Sequence, residues 1–270
     1  MQTMNTNKIQ TTFTPDRFQQ AVIQAEGGYH LVLAPPGCGK TQILTERIRR
    51  AHEQGMPFDK MLCLTFTNRA ARGMKERIEA HIADEGVNEV YVGNVHRFCS
   101  KFLFDNSLVP AESSVIDDDD AVSILARYRD EDEYAVQANY RAKSEYTEVF
   151  HFAGFIHQLV HEHPKKLRLH PECVTTRDVT ALRTLCQVQQ MEMTPATMLD
   201  VFRHSDVYED LIQTEAYDLG SQRDIGALLK KMEQARHYMA YKKENKLLDF
   251  EDLLMFTYDA LRADDKHELR

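Results

Sequence analysis

The stretch His30–Thr41, HLVLAPPGCGKT, constrains this chain more than any other. An apolar run enters a turn with glycines at 37 and 39, and Lys40-Thr41 then opens a helical pattern. A phosphate chain needs each of these parts. Gly37 and Gly39 let the backbone turn its N–H groups toward an anion, and the helix N-terminus adds positive dipole. Lys40 reaches terminal phosphates and Thr41 can hold Mg2+, while Pro36 and Cys38 complete the loop. Ala34 stands where the usual pattern has its first glycine. A chance Gly-x-Gly-Lys-Thr turn has no reason to follow an apolar strand and precede a helix, so nucleotide binding is inferred. Taken alone, the loop serves kinases, GTPases, ABC proteins and helicases alike.

The surrounding pattern is α/β. His30–Ala34, Met61–Phe66 and Val90–Val92, the last followed by Gly93, are short apolar runs separated by helical stretches, as in parallel strands with crossover helices. Gln42–Glu53 carries Ile43, Leu44 and Ile48 at helical spacing, and Arg69–Ile82 carries Ala70, Ala71, Met74 and Ile78. After Pro110 the strand signal fades into helical segments broken near Pro164, Pro171, Pro195 and Gly220, which predicts an inserted helical domain. Lys246–Leu261 then predicts an amphipathic helix through Leu253, Leu254, Phe256, Tyr258 and Leu261.

Charge is distributed unevenly. Met1–Phe104 holds 13 Lys/Arg against 10 Asp/Glu, and Asp105–Arg270 holds 20 against 32, which together give the net charge of −9. A surface for nucleic acid should therefore be a local patch on the first part. The five cysteines Cys38, Cys63, Cys99, Cys173 and Cys186 lie far apart with no Cys-x-x-Cys pair, so they read as reduced thiols rather than a disulfide framework or zinc site. The polar start Met1–Gln10 has no signal-peptide core, and no apolar run approaches the roughly 20 residues of a membrane span. A cytoplasmic location without membrane contact is expected.

Three further segments, in order around the loop, narrow the reading. Phe13–Gly28 is FTPDRFQQAVIQAEGG, Leu64–Ile78 is LTFTNRAARGMKERI, and Val90–Leu103 is VYVGNVHRFCSKFL. Together with the loop they resemble the UvrD/Rep-like superfamily 1 DNA helicases. The resemblance covers most of Phe13–Ser123 and Tyr238–Leu261. It implies that the first segment recognises adenine through a glutamine amide, which offers one donor and one acceptor. Gln19 is the leading candidate and Gln20 the alternative, because the family spacing would fall on Phe18. The second segment lines the single-strand track in the family, and its residue types suit that role. Thr65, Thr67 and Asn68 can hydrogen-bond phosphate or sugar, Arg69 brings charge at a helix start, and Phe66 is either a stacking face for a base or ordinary strand core. In the third segment His96 matches the family histidine. Asn94 and Arg97 replace its Thr and Ser, keeping hydrogen-bonding ability and adding a charge.

What the resemblance implies is an α/β chain with a P-loop NTPase (RecA-like) parallel sheet and an inserted all-helical domain. The expected division is 1–109 for the first part of the ATP-binding core, 110–245 for the helical insert and 246–270 for the return to the core. ATP and Mg2+ are the implied cofactors, and single-stranded DNA and a duplex junction the implied partners. Unwinding in the 3′→5′ direction by the full-length protein is the implied activity, in a DNA repair setting. Hydrolysis also needs an acidic pair at the end of an apolar strand, one carboxylate for Mg2+ and one for the attacking water. Neither Asp130-Glu131-Asp132-Glu133 nor Asp249-Phe250-Glu251-Asp252 fits that context. We therefore expect an amino-terminal fragment that binds nucleotide without turning it over, lacks the carboxy-terminal helicase domains, and carries an incomplete sheet whose exposed edges leave it marginally stable or else lead it to associate through them. The alternative is a non-catalytic nucleotide- or DNA-binding module that naturally ends here; a different phosphate-loop enzyme, such as a small kinase, is argued against by Leu64–Ile78.

Three remaining features have plain structural readings. Asp117–Asp120 after Ser114-Val115-Ile116 suits a helix cap better than a metal site, since sequence neighbours point to different helix faces. His151, His157, His161 and His163 fall in one helical stretch, where His157 and His161 have chelating spacing but no third ligand at a fixed offset. Lys165-Lys166-Leu167-Arg168 is a small basic patch, better read as a solvated turn than as a contact to duplex DNA.

Overall fold

A computed structural model describes residues 13–161 and 174–264. His163 and the basic patch Lys165–Arg168 lie outside the described residues, as does Cys173. The chain divides into two compact units, Met1–Phe98 and Cys99–Arg270.

The first unit holds helices α1 (Arg17–Gln24), α2 (Lys40–Glu53) and α3 (Asn68–His81), with strands β1 (Leu62–Thr65) and β2 (Tyr91–Asn94). The strands pair in parallel, Leu62 with Tyr91 through Thr65 with Asn94, and α3 is the crossover between them. This is the expected strand-helix-strand unit, with its elements close to their sequence boundaries. Its core is Ile48, Phe58, Met61, Ile78, Ile82, Val87 and Val90, contributed by α2, α3, the strand flanks and two 3-10 turns.

One expected strand is not formed. Residues 30–34 belong to no ladder, and Leu31 and Leu33 are each 86% exposed. An apolar run becomes a strand only when neighbours take its backbone hydrogen bonds and cover its side chains. Among the described residues β1 and β2 pair only with each other. Among the described residues the parallel sheet of this unit is therefore two-stranded, and the run entering the Gly37–Lys40 turn pairs with no strand.

The second unit is almost wholly helical, with α4 (Val95–Asp105) crossing the division between the units. It holds α5 (Asp118–Tyr128), α6 (Glu133–Ala138), α7 (Tyr140–His161), α8 (Thr176–Val188), α9 (Pro195–Arg203), α10 (Ser205–Ile212), α11 (Leu219–Glu244) and α12 (Phe250–Ala263). The 26-residue α11 is the spine, packing against α5, α7, α8, α9 and α10. Its Ile225, Leu228, Leu229, Met232, Ala235 and Tyr238 are buried in one core with Phe152, Ile156, Leu185 and Val201. No helix among the described residues is long and apolar enough to cross a membrane.

The expected helix from Lys246 starts later. Leu247–Leu248 forms strand β4, parallel to β3 (Ser114–Val115), and the helix begins at Phe250 behind the N-cap Asp249. This two-residue ladder, whose partner comes from a distant part of the chain, displaces what periodicity alone suggested. All three acidic stretches weighed in the sequence supply helix caps. Asp117 and Asp120 form a capping box on α5, and Asp249 and Asp252 form one on α12. Asp132 caps α6.

Lys242 of α11 places a buried ammonium between Asp249, at 2.5 Å, and Asp252, at 2.6 Å. His157 of α7 lies 3.2 Å from Asp252, and the Tyr238 hydroxyl donates to Asp249 at 3.0 Å. Burial opposes ionisation of Asp252, but the His157 hydrogen bond and Lys242 outweigh it and hold its carboxyl below the usual range. Burial, with Asp249 beside it, pushes the Tyr238 phenol up. A carboxyl depressed in the folded state stabilises the fold above its unfolded pKa, and that stability is lost as pH falls through the folded value. We expect urea denaturation of the second unit to show stability declining below about pH 4. Lys242→Ala should cost about 3–5 kcal/mol near neutral pH by leaving the two carboxylates buried without their cation, and should flatten the acid dependence.

Candidate nucleotide and nucleic-acid site

The loop before α2 turns through Gly37 and Gly39 at φ of +83° and +72°, a left-handed conformation that side-chain-bearing residues adopt at a cost. Gly39 is also the N-cap of α2, and no side chain caps that helix end. Its first-turn amides thus face the loop with the positive end of the helix dipole behind them. The Lys40 ammonium folds back to donate to the carbonyls of Ala34, at 2.8 Å, and Pro35, at 2.7 Å. The cation is already held over the turn by neutral acceptors, which an incoming anion can replace. Pro36 and Cys38 are exposed, and Thr41 in the first turn of α2 is half-buried.

Of the two glutamines, Gln19 is the one hydrogen-bonded to this loop. Asp16 caps α1 in a capping box whose second half is the Gln19 side chain, accepting from the Asp16 N–H at 2.9 Å. The amide nitrogen of Gln19 donates to the Cys38 carbonyl at 3.3 Å. Arg47 of α2 fastens the other end of α1, donating to the carbonyls of Val22 and Ala25. Arg47 was not singled out in the sequence, where it is one of several charged residues on α2.

A cavity of about 400 Å3 opens at the loop, lined by Gly37, Gly39, Lys40, Thr41 and Gln42 on one side and by Arg77 and His81 of α3 on the other. Arg77 and His81 are the residues that sequence reasoning missed. Both lie on or just past the quoted Leu64–Ile78 stretch, and their i, i+4 spacing was the available signal that they share a face. Only the packing of α3 reveals that this face meets the glycine-rich loop before α2.

The opposite end of α3 carries the candidate nucleic-acid residues. Phe66, just beyond β1, is 99% exposed, so it is not strand core. Thr65 donates its hydroxyl to the Thr67 carbonyl, and Thr67 caps α3 by accepting from the Ala70 N–H at 3.1 Å. The Asn68 side chain accepts from the Asn94 amide at 3.0 Å, and Asn94 in turn accepts from the Arg97 N–H at 2.7 Å. The ends of β1 and β2 are thereby joined, with Phe66, Arg69 and Arg97 exposed and His96 half-buried. Among the described residues no group of three or more His, Cys, Asp or Glu is arranged to hold a metal.

Comparison with known proteins adds to this geometry. The profile of the UvrD/REP helicase N-terminal domain family matches residues 16–270. The chain is 34% identical over 112 residues to the ATP-dependent DNA helicase PcrA of Bacillus subtilis (strain 168), covering 40% of this chain and 15% of that protein. Over 77 residues it is 42% identical to the ATP-dependent DNA helicase SRS2 of Saccharomyces cerevisiae, covering 27% of this chain and 6% of that protein. Over 116 residues it is 29% identical to DNA helicase II of Haemophilus influenzae, covering 40% of this chain and 16% of that protein. The matched stretches thus span a small share of much longer relatives.

The Asn68–Asn94 link should matter to the first unit on its own. Asn94→Ala removes both that bond and the acceptor at the start of α4, and we expect a loss of about 1 kcal/mol in urea denaturation, with Asn94→Ser recovering part of it.

Proposed function

Because the chain belongs to the UvrD/REP helicase N-terminal domain family, we propose that it supplies the ATP-binding and single-stranded-DNA-binding face of an ATP-dependent DNA helicase that moves 3′→5′. The observation that carries this reading is α3, whose first turn follows the exposed Phe66 and whose last turn lines the cavity at Lys40. One rigid helix spans the proposed nucleic-acid track and the proposed triphosphate site.

In this reading the amides of the α2 start and Lys40 would take the terminal phosphates, and Thr41 would hold the Mg2+ that travels with the nucleotide. When bound, the metal would supply positive charge to the phosphate oxygens, while the chain itself binds and orients. Arg77 adds a second fixed cation on the far wall of the cavity. Gln19, whose amide carries both a donor and an acceptor, would trade its contacts to Cys38 and Asp16 for the edge of adenine. On the track, Phe66 offers a stacking face to one base, and Thr65, Thr67, Asn68, Arg69, His96 and Arg97 surround it with polar and basic groups suited to phosphate or sugar. The domain division 1–109, 110–245 and 246–270 belongs to the same proposal, as do the duplex junction and the carboxy-terminal helicase domains as partners.

The carboxylates Asp249 and Asp252 are committed to the α12 cap and to Lys242, which supports a chain that binds nucleotide without turning it over. DNA-stimulated ATP hydrolysis by these 270 residues, if dependent on Lys40, would overturn that part of the reading.

Equilibrium binding tests the rest. Lys40→Ala should abolish ATP binding, and Arg77→Ala should weaken it about tenfold, as expected for a charge-assisted phosphate contact. Phe66→Ala should weaken single-stranded DNA binding by about tenfold, in keeping with the loss of one stacked base, while leaving ATP affinity unchanged. DNA binding that is indifferent to Phe66 and Arg97 alike would reject the proposed track.

A further inference from the structure

We propose that His81 is a proton-dependent ligand of the nucleotide's terminal phosphates, so that the affinity of this site for a triphosphate is set partly by pH. The inference rests on the nucleotide site proposed above and adds to it the control of that site by a group outside the phosphate loop.

His81 lies one turn after Arg77 on α3, and both line the cavity that contains Lys40. The Nδ1 atom of His81 is 2.7 Å from the Arg77 carbonyl oxygen. A carbonyl oxygen only accepts, so Nδ1 carries the hydrogen. In the neutral ring Nε2 is then a bare lone pair, which cannot bond an anionic phosphate oxygen. A proton on Nε2 turns the same atom into a charged donor, the form that a phosphate recruits.

The electrostatic surroundings favour this role. Among the described residues, the charged or titratable groups lining the cavity are Lys40, Arg77 and His81, and no carboxylate is among them. Of the elements packed against α3, helix α2 carries Glu46 and Glu53, both paired with Arg49. Its Arg47 is bonded to α1, its Arg50 faces Glu26, and its His52 faces Asp84. Strands β1 and β2 contribute only Cys63 and Tyr91 as titratable groups. The 3-10 turn after α3 carries Glu85 and Glu89, and α3 itself carries Arg69, Arg72, Lys75, Glu76 and Glu79, the last paired with Lys75. A bound triphosphate bonds only the ring that carries a proton on Nε2, so protonation of His81 and triphosphate binding are coupled: binding takes up a proton and weakens as pH rises.

The sign separates this effect from the nucleotide's own titration, since ATP gains negative charge toward alkaline pH and for that reason alone would bind a cationic cavity more tightly. ATP and AMP binding, with Mg2+ present, should be measured from about pH 6 to about pH 8.5 for the chain, for Lys40→Ala, and for two substitutions of His81. His81→Gln keeps a donor for the Arg77 carbonyl but takes no proton. It should bind ATP about five- to tenfold more weakly than the unaltered chain at the acid end and within about twofold at the alkaline end, with AMP unchanged. His81→Lys, permanently charged, should keep tight ATP binding at the alkaline end. Parallel pH profiles for the unaltered chain and both His81 variants, with Lys40→Ala still abolishing binding, would reject the role of His81 and leave the nucleotide site standing. Absence of ATP binding by the unaltered chain would reject both.

Discussion

The organisation of the first unit depends on helix α3 being fixed at both ends by different parts of the chain. At its start Thr67 caps it and Asn68 is tied to Asn94 across the β1–β2 pair. At its end Arg77 and His81 close a cavity against the loop that begins α2. Between them Ala71 and Ile78 are buried, so the helix cannot rotate without opening the core. At about 1.5 Å per residue, Asn68 and Arg77 are roughly 14 Å apart along the axis.

The second unit follows a different logic. Its stability is spread over a broad apolar core around α11, in which residues from several helices interdigitate, and one of its buried polar groupings lies where α12 begins. Lys242, Asp249, Asp252 and His157 bring α7, α11 and the start of α12 into one register. A buried ammonium with two carboxylates adds directional contacts to the apolar packing around it. The small β3–β4 pair beside it works in the same direction, pinning the chain that enters α12 to a segment far upstream.

Much of this was legible in the sequence because it is local. The Gly-rich loop before α2, the acidic caps at Asp117–Asp120, and the helical periods of α2 and α3 are each decided within a few residues, where backbone sterics and side-chain hydrogen bonds act. The parallel pairing of β1 with β2 followed from two apolar runs separated by a helix. Less legible were features that need a distant partner. Residues 30–34 have every local mark of a strand and yet none of the described residues pairs with them. Lys246–Leu248 continued a helical period, but Leu247–Leu248 was drawn into a ladder with Ser114–Val115. Phe66 was ambiguous between core and platform until its exposure settled that it is not core.

The sequence by itself determined a glycine turn of the kind proposed to take phosphate, its flanking helix, and a run of strand-end residues suited to a nucleic-acid backbone, because glycine dihedrals, caps and helical spacing act at short range. Only the tertiary structure decided that Arg77 and His81 face Lys40, that Gln19 rather than Gln20 bonds the loop, and that Lys242 neutralises Asp249 and Asp252. Those contacts join residues that the chain separates, and what sets them is how helices pack rather than what any one segment prefers.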